Sequence, residues 1–369
     1  MLSHSVGCRW TAGALALFVL SAWAAEDDAL PVLPSYSVHN LVSDGAVPAD
    51  HVDTNLKNPW GIVFGPTTPV WVANNGTGTS TLYDGTGAKI PLVVSIPPGS
   101  REPGNPTGIV FNATKDFKVS EGKLSGISVF IFAGENGTIN GWAPDVNATS
   151  AIVAYDGGPA GAVYKGLALA SNGTASFLYA TNFHDNVVDV FDKTFTKVSA
   201  PGGFKDDDIP TNFAPFGIQN IGGDLYVTYA KQDAARHDNL DGPGLGFVDV
   251  FDANGQLLRR VTSRGALNAP WAIALAPANF GRFSNRLLVG NFGDGTINAY
   301  DFRTGKHIGR LSKPNGDPIS LNGLWGLSFG NGLLHQATST LFFAAGTNDE
   351  QDGTYGRIDP APGDGHDDH

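Results

Sequence analysis

Six times along the chain, an apolar run with a small residue near its start is followed by a second apolar run. The small residues that align recur about 50 residues apart, which is the period of a repeat architecture. The first runs are NPWGIVFG from Asn58, NPTGIVFN from Asn105, VYKGLALA from Val163, FAPFGIQNI from Phe213, APWAIALA from Ala269 and GLWGLSFG from Gly323.

Each second run ends in a Gly, Asn or Asp turn and continues as an alternating run, as in LLVGNFGDGTINAYD from Leu287. This pattern predicts a β-hairpin. An outer strand comes next, such as LVVSI from Leu92 or QLLRRV from Gln256. Four strands repeated six times predict an all-β, six-bladed β-propeller with four-stranded blades. A solenoid is the competing repeat architecture, but its repeats are shorter and it needs end caps.

The sixth unit lacks an outer strand of its own. We expect SYSVHNLV, residues 35–42, to supply that strand, because this would close the ring and remove an exposed sheet edge. The predicted propeller therefore spans residues 35–358, and a disordered tail is expected at 359–369.

The N-terminus has the pattern of an export signal. Arg9 precedes an apolar run from Thr11 to Trp23, and the AWA at Ala22–Ala24 fits a signal-peptidase site. We expect a signal peptide at 1–24, cleaved near Ala24, then a linker at 25–34. The mature protein would be secreted or periplasmic and would have no membrane anchor.

The charge balance narrows the choice of partner. The formal net charge is −12, and no basic block stands out that could neutralise phosphates. Nucleic acid is therefore excluded as the expected partner. We expect a monomer whose ligand is a small molecule, a glycan or a protein.

The repeats resemble the NHL repeats of six-bladed, TolB-like propellers. NPWGIVFG with WVANNGTGTSTLYDG, FIFAGENGTINGWAP and GTNDEQDGTYGRI further resembles a family of exported bacterial propeller proteins of uncharacterised function. The resemblance covers nearly the whole predicted mature chain and implies the fold and export. It implies no chemistry, because these motifs are architectural.

Propeller topology places the start of each inner strand and the turn after each second strand on one face. That channel face gathers aromatic residues, Tyr164, Lys165 and three asparagines that end the second strands of blades one, three and five. The candidate ligand-binding residues are Trp60, Asn74, Asn182, His184, Phe216, Tyr229, Trp271, Asn291, Asp294 and Trp325. The structural alternative for the asparagines is that they cap strand ends.

Some residues of this face could also bind a divalent metal. Asn182, His184, Asp185 and Asn291 are candidates for Ca²⁺ or Zn²⁺, and a solvated turn is the alternative. Propeller lactonases of the gluconolactonase type hold a divalent ion with Glu, Asn and Asp, but the expected Glu has no convincing counterpart in this sequence. The Asp206–Asp208 run is a weaker calcium candidate, because it lacks calcium-loop spacing.

The turn of blade four is lengthened at Ala230–Gly246. This segment could be a lid that contacts the ligand or a surface loop without a function, and the sequence does not decide between the two.

No catalytic signature stands out in the sequence, which leaves open whether the protein is an enzyme. The leading interpretation is an exported propeller that binds a small polar ligand, glycan or protein on the channel face. The alternatives are a metal-dependent hydrolase, lactonase or lyase acting at the channel mouth, and a structural envelope module.

Overall fold

The computed structural model describes residues 1–4, 7 and 35–361. The predicted signal-peptide cleavage site, the 25–34 linker and the end of the predicted tail lie outside these residues. The chain separates into two units, Met1–Val32 and Leu33–His369, and the strands belong to the second unit. None of the described residues belongs to a helix long and apolar enough to cross a membrane.

The described part of the second unit is built from strands. In chain order they are β1 (Tyr36–Ser43), β2 (His51–Val52), β3 (Pro59–Phe64), β4 (Val70–Asn74), β5 (Thr79–Tyr83), β6 (Lys89–Ser95), β7 (Pro106–Phe111), β8 (Lys118–Glu121), β9 (Leu124–Ile127), β10 (Phe130–Gly134), β11 (Thr138–Trp142), β12 (Ile152–Asp156), β13 (Tyr164–Ser171), β14 (Ser176–Asn182), β15 (Val187–Phe191), β16 (Lys197–Val198), β17 (Phe213–Ile221), β18 (Asp224–Gln232), β19 (Asn239–Leu240), β20 (Phe247–Phe251), β21 (Leu257–Ser263), β22 (Pro270–Leu275), β23 (Arg286–Asn291), β24 (Ile297–Asp301), β25 (His307–Arg310), β26 (Leu324–Phe329), β27 (Leu341–Ala345) and β28 (Thr354–Pro360). Three short 3₁₀ turns lie at Asn75–Thr77, Gly158–Ala160 and Gly281–Phe283.

The strands form six antiparallel blades. Blade one is β3-β4-β5-β6, blade two β7-β10-β11-β12, blade three β13-β14-β15-β16, blade four β17-β18-β20-β21 and blade five β22-β23-β24-β25. Blade six is β26-β27-β28 with β1 as its outer strand. The six-bladed β-propeller predicted from the repeats is confirmed. The short strand β2 pairs parallel with β1 at the edge of blade six, and β19 pairs with β18 of blade four. The hairpin β8-β9 forms a separate two-stranded sheet inserted between the first two strands of blade two.

The N-terminal strand closes the ring as predicted. β1 pairs antiparallel with β28, from Tyr36 opposite Pro360 to Ser43 opposite Thr354. The Tyr36 hydroxyl donates to the Phe280 carbonyl oxygen of blade five at 2.9 Å, which ties the closing strand to a neighbouring blade. β28 ends at Pro360, whereas the sequence predicted that the propeller ends at residue 358.

The small residues of the repeat lie where the inner strands meet. A side chain at Gly217 of blade four would overlap the carbonyl oxygen of Trp271 in blade five. A side chain at Gly108 of blade two would likewise overlap the backbone nitrogen of Leu167 in blade three. At these two positions the neighbouring inner strands therefore approach too closely for any side chain.

Candidate ligand site at the channel mouth

The aromatic residues that open the inner strands meet one another. The Trp60 and Trp325 rings stack with their centroids 3.4 Å apart, and Trp271 stands edge-on to both. Phe216 completes the group at 5.7 Å from Trp325. Trp60, Phe216 and Trp325 are at most 2% exposed. These rings therefore cover each other, and any ligand contact they make stays a prediction.

The asparagines of blades one, three and five hold their own turns. Asn74 donates to the Thr81 hydroxyl at 2.9 Å. Asn182 donates to Asp185 at 2.9 Å and accepts from the backbone of Val163 at 3.3 Å. The Asn182 amide is thus bonded through both its atoms, whereas the Asn74 oxygen has no partner among the described residues, and ligand binding by either asparagine stays a prediction.

Asn291 is bonded to the connection that leads into β22 of its own blade. Its amide nitrogen donates to the Ala266 carbonyl oxygen at 2.8 Å, and its oxygen accepts from the Asn268 backbone at 3.1 Å. Asp294 accepts from the backbone and hydroxyl of Thr296, at 3.0 and 2.7 Å. Both residues shape the β23–β24 turn.

The metal candidates are not gathered around one point. The His184 imidazole lies 3.4 Å from the Arg236 guanidinium, while Asp185 bonds to Asn182. Among the described residues, the group whose three carboxylate or imidazole ligand atoms lie within 4.8 Å of one another is Glu135, His237 and Asp238. The sequence pattern did not single out this set.

A buried lysine lies at the centre of this region. Lys165 is the second residue of β13 in blade three, and its side chain is 2% exposed. Its ammonium pairs with Glu135 and lies 3.3 Å from the Asp238 carboxylate. It also lies 5.2 Å from the Trp60 ring centroid, over the buried aromatic group. Such a charge is tolerated in an interior only when it is paired, as here.

The turns of blades two and six each bring a glutamate to this region. Glu135 follows β10 and accepts from the Asn75 side chain at 2.7 Å. Glu350 lies between β27 and β28 and accepts from the Asn58 side chain at 3.1 Å. Burial raises the pKa of Glu350, and the nearby Glu135 carboxylate raises it further. The Lys165 ammonium opposes this rise in pKa, so Glu350 is a third carboxylate near the ammonium that Glu135 and Asp238 already contact.

The backbone that delivers Glu350 is strained. Asn348, Asp349 and Glu350 have φ of 55, 50 and 64°, so three successive residues other than glycine are left-handed. Each such residue costs about 1–3 kcal/mol and persists only where its surroundings enforce it. Strain of this kind concentrates at binding sites.

The long loop of blade four completes the group. The His237 Nδ1 lies 3.0 Å from the Asp238 Oδ1, and this hydrogen bond is the main cause that raises the pKa of His237. The backbone of His237 is held by the Asp233 carboxylate at 2.9 Å. Because Nδ1 is engaged, Nε2 is the ring nitrogen left for a ligand. We call Glu135, Lys165, His237, Asp238 and Glu350 the channel-mouth cluster.

A cavity of about 220 Å³ adjoins this cluster. Glu135 and His237 form one side, and the segment 101–105 that leads into blade two forms the other. The lining residues are Arg101, Glu102, Pro103, Asn105, Glu135, Asn136 and His237.

Sequence reasoning placed Lys165 on the correct face but missed its partners. The alternation of asparagine drew attention to blades one, three and five, whereas the acids come from blades two, four and six. These acids share one feature that the sequence shows, a position in the turn after the second strand of the blade. They are Glu135, Asp238 and Glu350. Nothing in the linear pattern paired them with Lys165.

Known proteins resemble this chain over most of its length. It is 35% identical to the uncharacterized protein L690 of Acanthamoeba polyphaga mimivirus over 332 residues, which cover 88% of this chain and 86% of that protein. It is 34% identical to the uncharacterized protein R648 of the same virus over 331 residues, with coverages of 88% and 80%. The chain belongs to their family. Because these relatives are viral, the bacterial affiliation expected from the motifs stays a prediction.

No model of a known protein family matches this member. Its fold resembles a glucose dehydrogenase with a TM-score of 0.51 and 12% identity, covering 87% of this chain and 99% of that one. The virginiamycin B lyase from Staphylococcus aureus is also similar, with a TM-score of 0.45 and 14% identity over 88% and 99% of the two chains. At such identities the likeness to the dehydrogenase shows the propeller fold alone.

Proposed function

We propose that this protein binds a small polyhydroxylated ligand, of the monosaccharide class, in the cavity beside the channel-mouth cluster. The observation that supports the proposal is the fully buried Lys165 paired with Glu135 next to that cavity. A buried ion pair adds little stability, because the cost of desolvating both charges offsets their attraction. Charges placed beside a cavity are typical of binding sites instead.

The cavity walls favour hydroxyl groups. Arg101 and the Nε2 of His237 can donate, while Glu102 and Glu135 can accept. A sugar hydroxyl does both at once, so neighbouring hydroxyls can use donors and acceptors that alternate along a wall. The volume of about 220 Å³ lies below the roughly 300–1,000 Å³ of sites for drug-sized ligands, which favours a single small ring. The net charge of −12 disfavours an anionic sugar.

Saturation-transfer NMR with glucose, glucosamine and glucuronate tests this proposal. Transfer to glucose or glucosamine should exceed transfer to glucuronate. Glu135→Gln should weaken binding by about 10-fold or more, since it removes a charged acceptor. Glu121→Gln, an exposed carboxylate that does not line the cavity, should leave binding unchanged. A folded protein that gives no saturable transfer with any of the three sugars would rule the proposal out.

A divalent cation is the second candidate ligand, and the 4.8 Å grouping of Glu135, His237 and Asp238 favours it. Lys165 opposes it, because its ammonium is already bonded to Glu135 and Asp238. We propose that Lys165 is the built-in counter-ion of this site. Metal analysis after divalent loading should then find far less than one ion per chain. A stoichiometric ion that is lost in His237→Ala would instead support the metal-dependent hydrolase or lyase.

We further propose that the protein is exported as a monomer. The apolar run and the AWA site near Ala24 support export. N-terminal sequencing of material from the medium or the periplasm should begin near Ala25. Full-length protein retained in the cytoplasm would contradict export.

A further inference from the structure

A second buried charge network lies in blade four. Asp206, from the connection between β16 and β17, and Asp249, from β20, both pair with the Arg260 guanidinium of β21. The Asp206 side chain is 7% exposed and that of Asp249 is 0% exposed. Asp207 and Asp208 are exposed, so the three aspartates of the calcium candidate do not converge.

The network has one cation for two carboxylates. Burial and then the Asp206 carboxylate raise the pKa of Asp249 to about 7, against the lowering effect of Arg260. A proton or a second cation would balance the charge of the second carboxylate.

Two polar atoms beside this network have no hydrogen-bond partner among the described residues. They are the Tyr229 hydroxyl and the Asp249 Oδ2. Tyr229 is 4% exposed, and with Asp206 it lines a cavity of about 260 Å³. A buried polar group without a partner is uncommon, and these two atoms are available to hydrogen-bond a ligand.

Three apolar side chains also line this cavity, those of Phe204, Ile209 and Pro215. The remaining lining residues are polar, namely Asn186, Lys205, Asp207 and Thr211. The site thus combines the Asp206 carboxylate and the Tyr229 ring with an apolar portion large enough for a short alkyl chain.

We propose that this cavity binds a small primary amine. Its ammonium group would contact Asp206 and Tyr229, and its alkyl body would lie against Phe204, Ile209 and Pro215. An ammonium supplies the missing cation and carries the donors that a carboxylate and a phenol oxygen accept. The Tyr229 ring adds a face that attracts cations.

A metal ion fits this site less well. Calcium takes six to eight oxygen ligands. Here the Asp206 Oδ2 and the Asp249 Oδ1 are bonded to Arg260, and the Asp206 Oδ1 accepts from the Asp208 backbone at 2.9 Å. An ammonium needs only one or two of the remaining lone pairs.

Titration of the full-length protein with n-butylammonium chloride, monitored by calorimetry or NMR, tests the proposal. The amine should bind saturably, whereas 1-butanol, which has the same alkyl body but no charge, should bind at least about 10-fold more weakly. Asp206→Asn should weaken amine binding by about 10-fold or more, and Tyr229→Phe should weaken it several-fold.

Two controls separate this site from its surroundings. Asp208→Asn, a neighbouring exposed carboxylate that does not line the cavity, should leave amine binding unchanged. Glu135→Gln should also leave it unchanged, because the cavity shares no residue with the channel-mouth cluster.

If Asp206→Asn fails to fold, Tyr229→Phe decides the outcome. The proposal is overturned by equal binding of butylammonium and butanol, by no saturable binding, or by wild-type affinity in a folded Asp206→Asn or Tyr229→Phe variant. An ordered water alone in the cavity would give the second of these results.

Discussion

At the residue scale, burial separates the charged groups of the two candidate sites from the charges on the surface. Lys165 is enclosed by aromatic rings, and both acids paired with it come from other blades. Asp249 is equally enclosed, yet it shares one guanidinium with Asp206. The first environment holds a cation in place, while the second leaves a carboxylate with an incomplete set of partners.

Asp249 should make stability depend on pH. Its pKa of about 7 in the folded protein exceeds the ordinary value of 3.8, so the folded state keeps a proton that the unfolded chain has lost. The free energy of unfolding should therefore fall as pH rises from 4 to 7, by at most about 1.4 kcal/mol per pH unit. Urea unfolding at pH 5 and pH 8 should show a smaller fall for Asp249→Asn than for the wild type. Equal falls in the two proteins would show that Asp249 does not titrate in this range.

The sequence located residues on a face but could not pair them. Lys165 and Asp238 are 73 residues apart in the chain, and the packing of blade four against blade three brings their side chains to 3.3 Å. The contacts of Asn74 and Asp294 were easier to interpret, because their partners Thr81 and Thr296 lie in the same hairpins. An ion-pair partner in another blade does not change the local hydrophobic pattern, so that pattern cannot identify it.

At the element scale, the inner strands pack together at the centre of the propeller, and most residues of the candidate site lie in the turns. The inner strands were predictable, because each repeats an apolar pattern with a small residue at the point of contact. The strained turn at 348–350 was not predictable, since its three residues other than glycine are left-handed. Local propensity opposes that conformation, so the tertiary structure must enforce it.

Gly217 should tolerate no side chain. A methyl group there would overlap the Trp271 carbonyl oxygen, which belongs to backbone and cannot move alone. Gly217→Ala should lower the free energy of unfolding by about 3 kcal/mol or more. Gly166→Ala is the matched control, because its added carbon would lie 3.0 Å from the Phe216 carbonyl oxygen and needs only a small shift. Chemical denaturation that finds the two variants equally stable would contradict the packing described for the inner strands.

At the scale of the whole molecule, closure depends on a strand from the opposite end of the chain. β1 completes blade six and pairs with β28 over its length. Without it, β28 would become an open edge that invites aggregation. This closure was predictable, because the sixth repeat lacked one strand and the N-terminus offered one.

Removal of β1 should therefore break the ring. A chain that begins at Ser35 retains the strand and should unfold in one cooperative transition. A chain that begins at Asp44 lacks β1 and should aggregate or unfold at a markedly lower temperature. Calorimetry of the two chains makes the comparison, and identical melting curves would show that the closing strand is dispensable.

The central claim is that the buried charges at the channel mouth serve a ligand and are not needed for the fold. The free energy of unfolding of the double variant Lys165→Met/Glu135→Gln tests it most directly, because both charges are removed with little change in volume. We predict a value within about 1 kcal/mol of the wild type, or higher. A loss of about 3 kcal/mol or more would show that the pair stabilises the propeller, and it would contradict a ligand-binding role for the charges of the channel-mouth cluster.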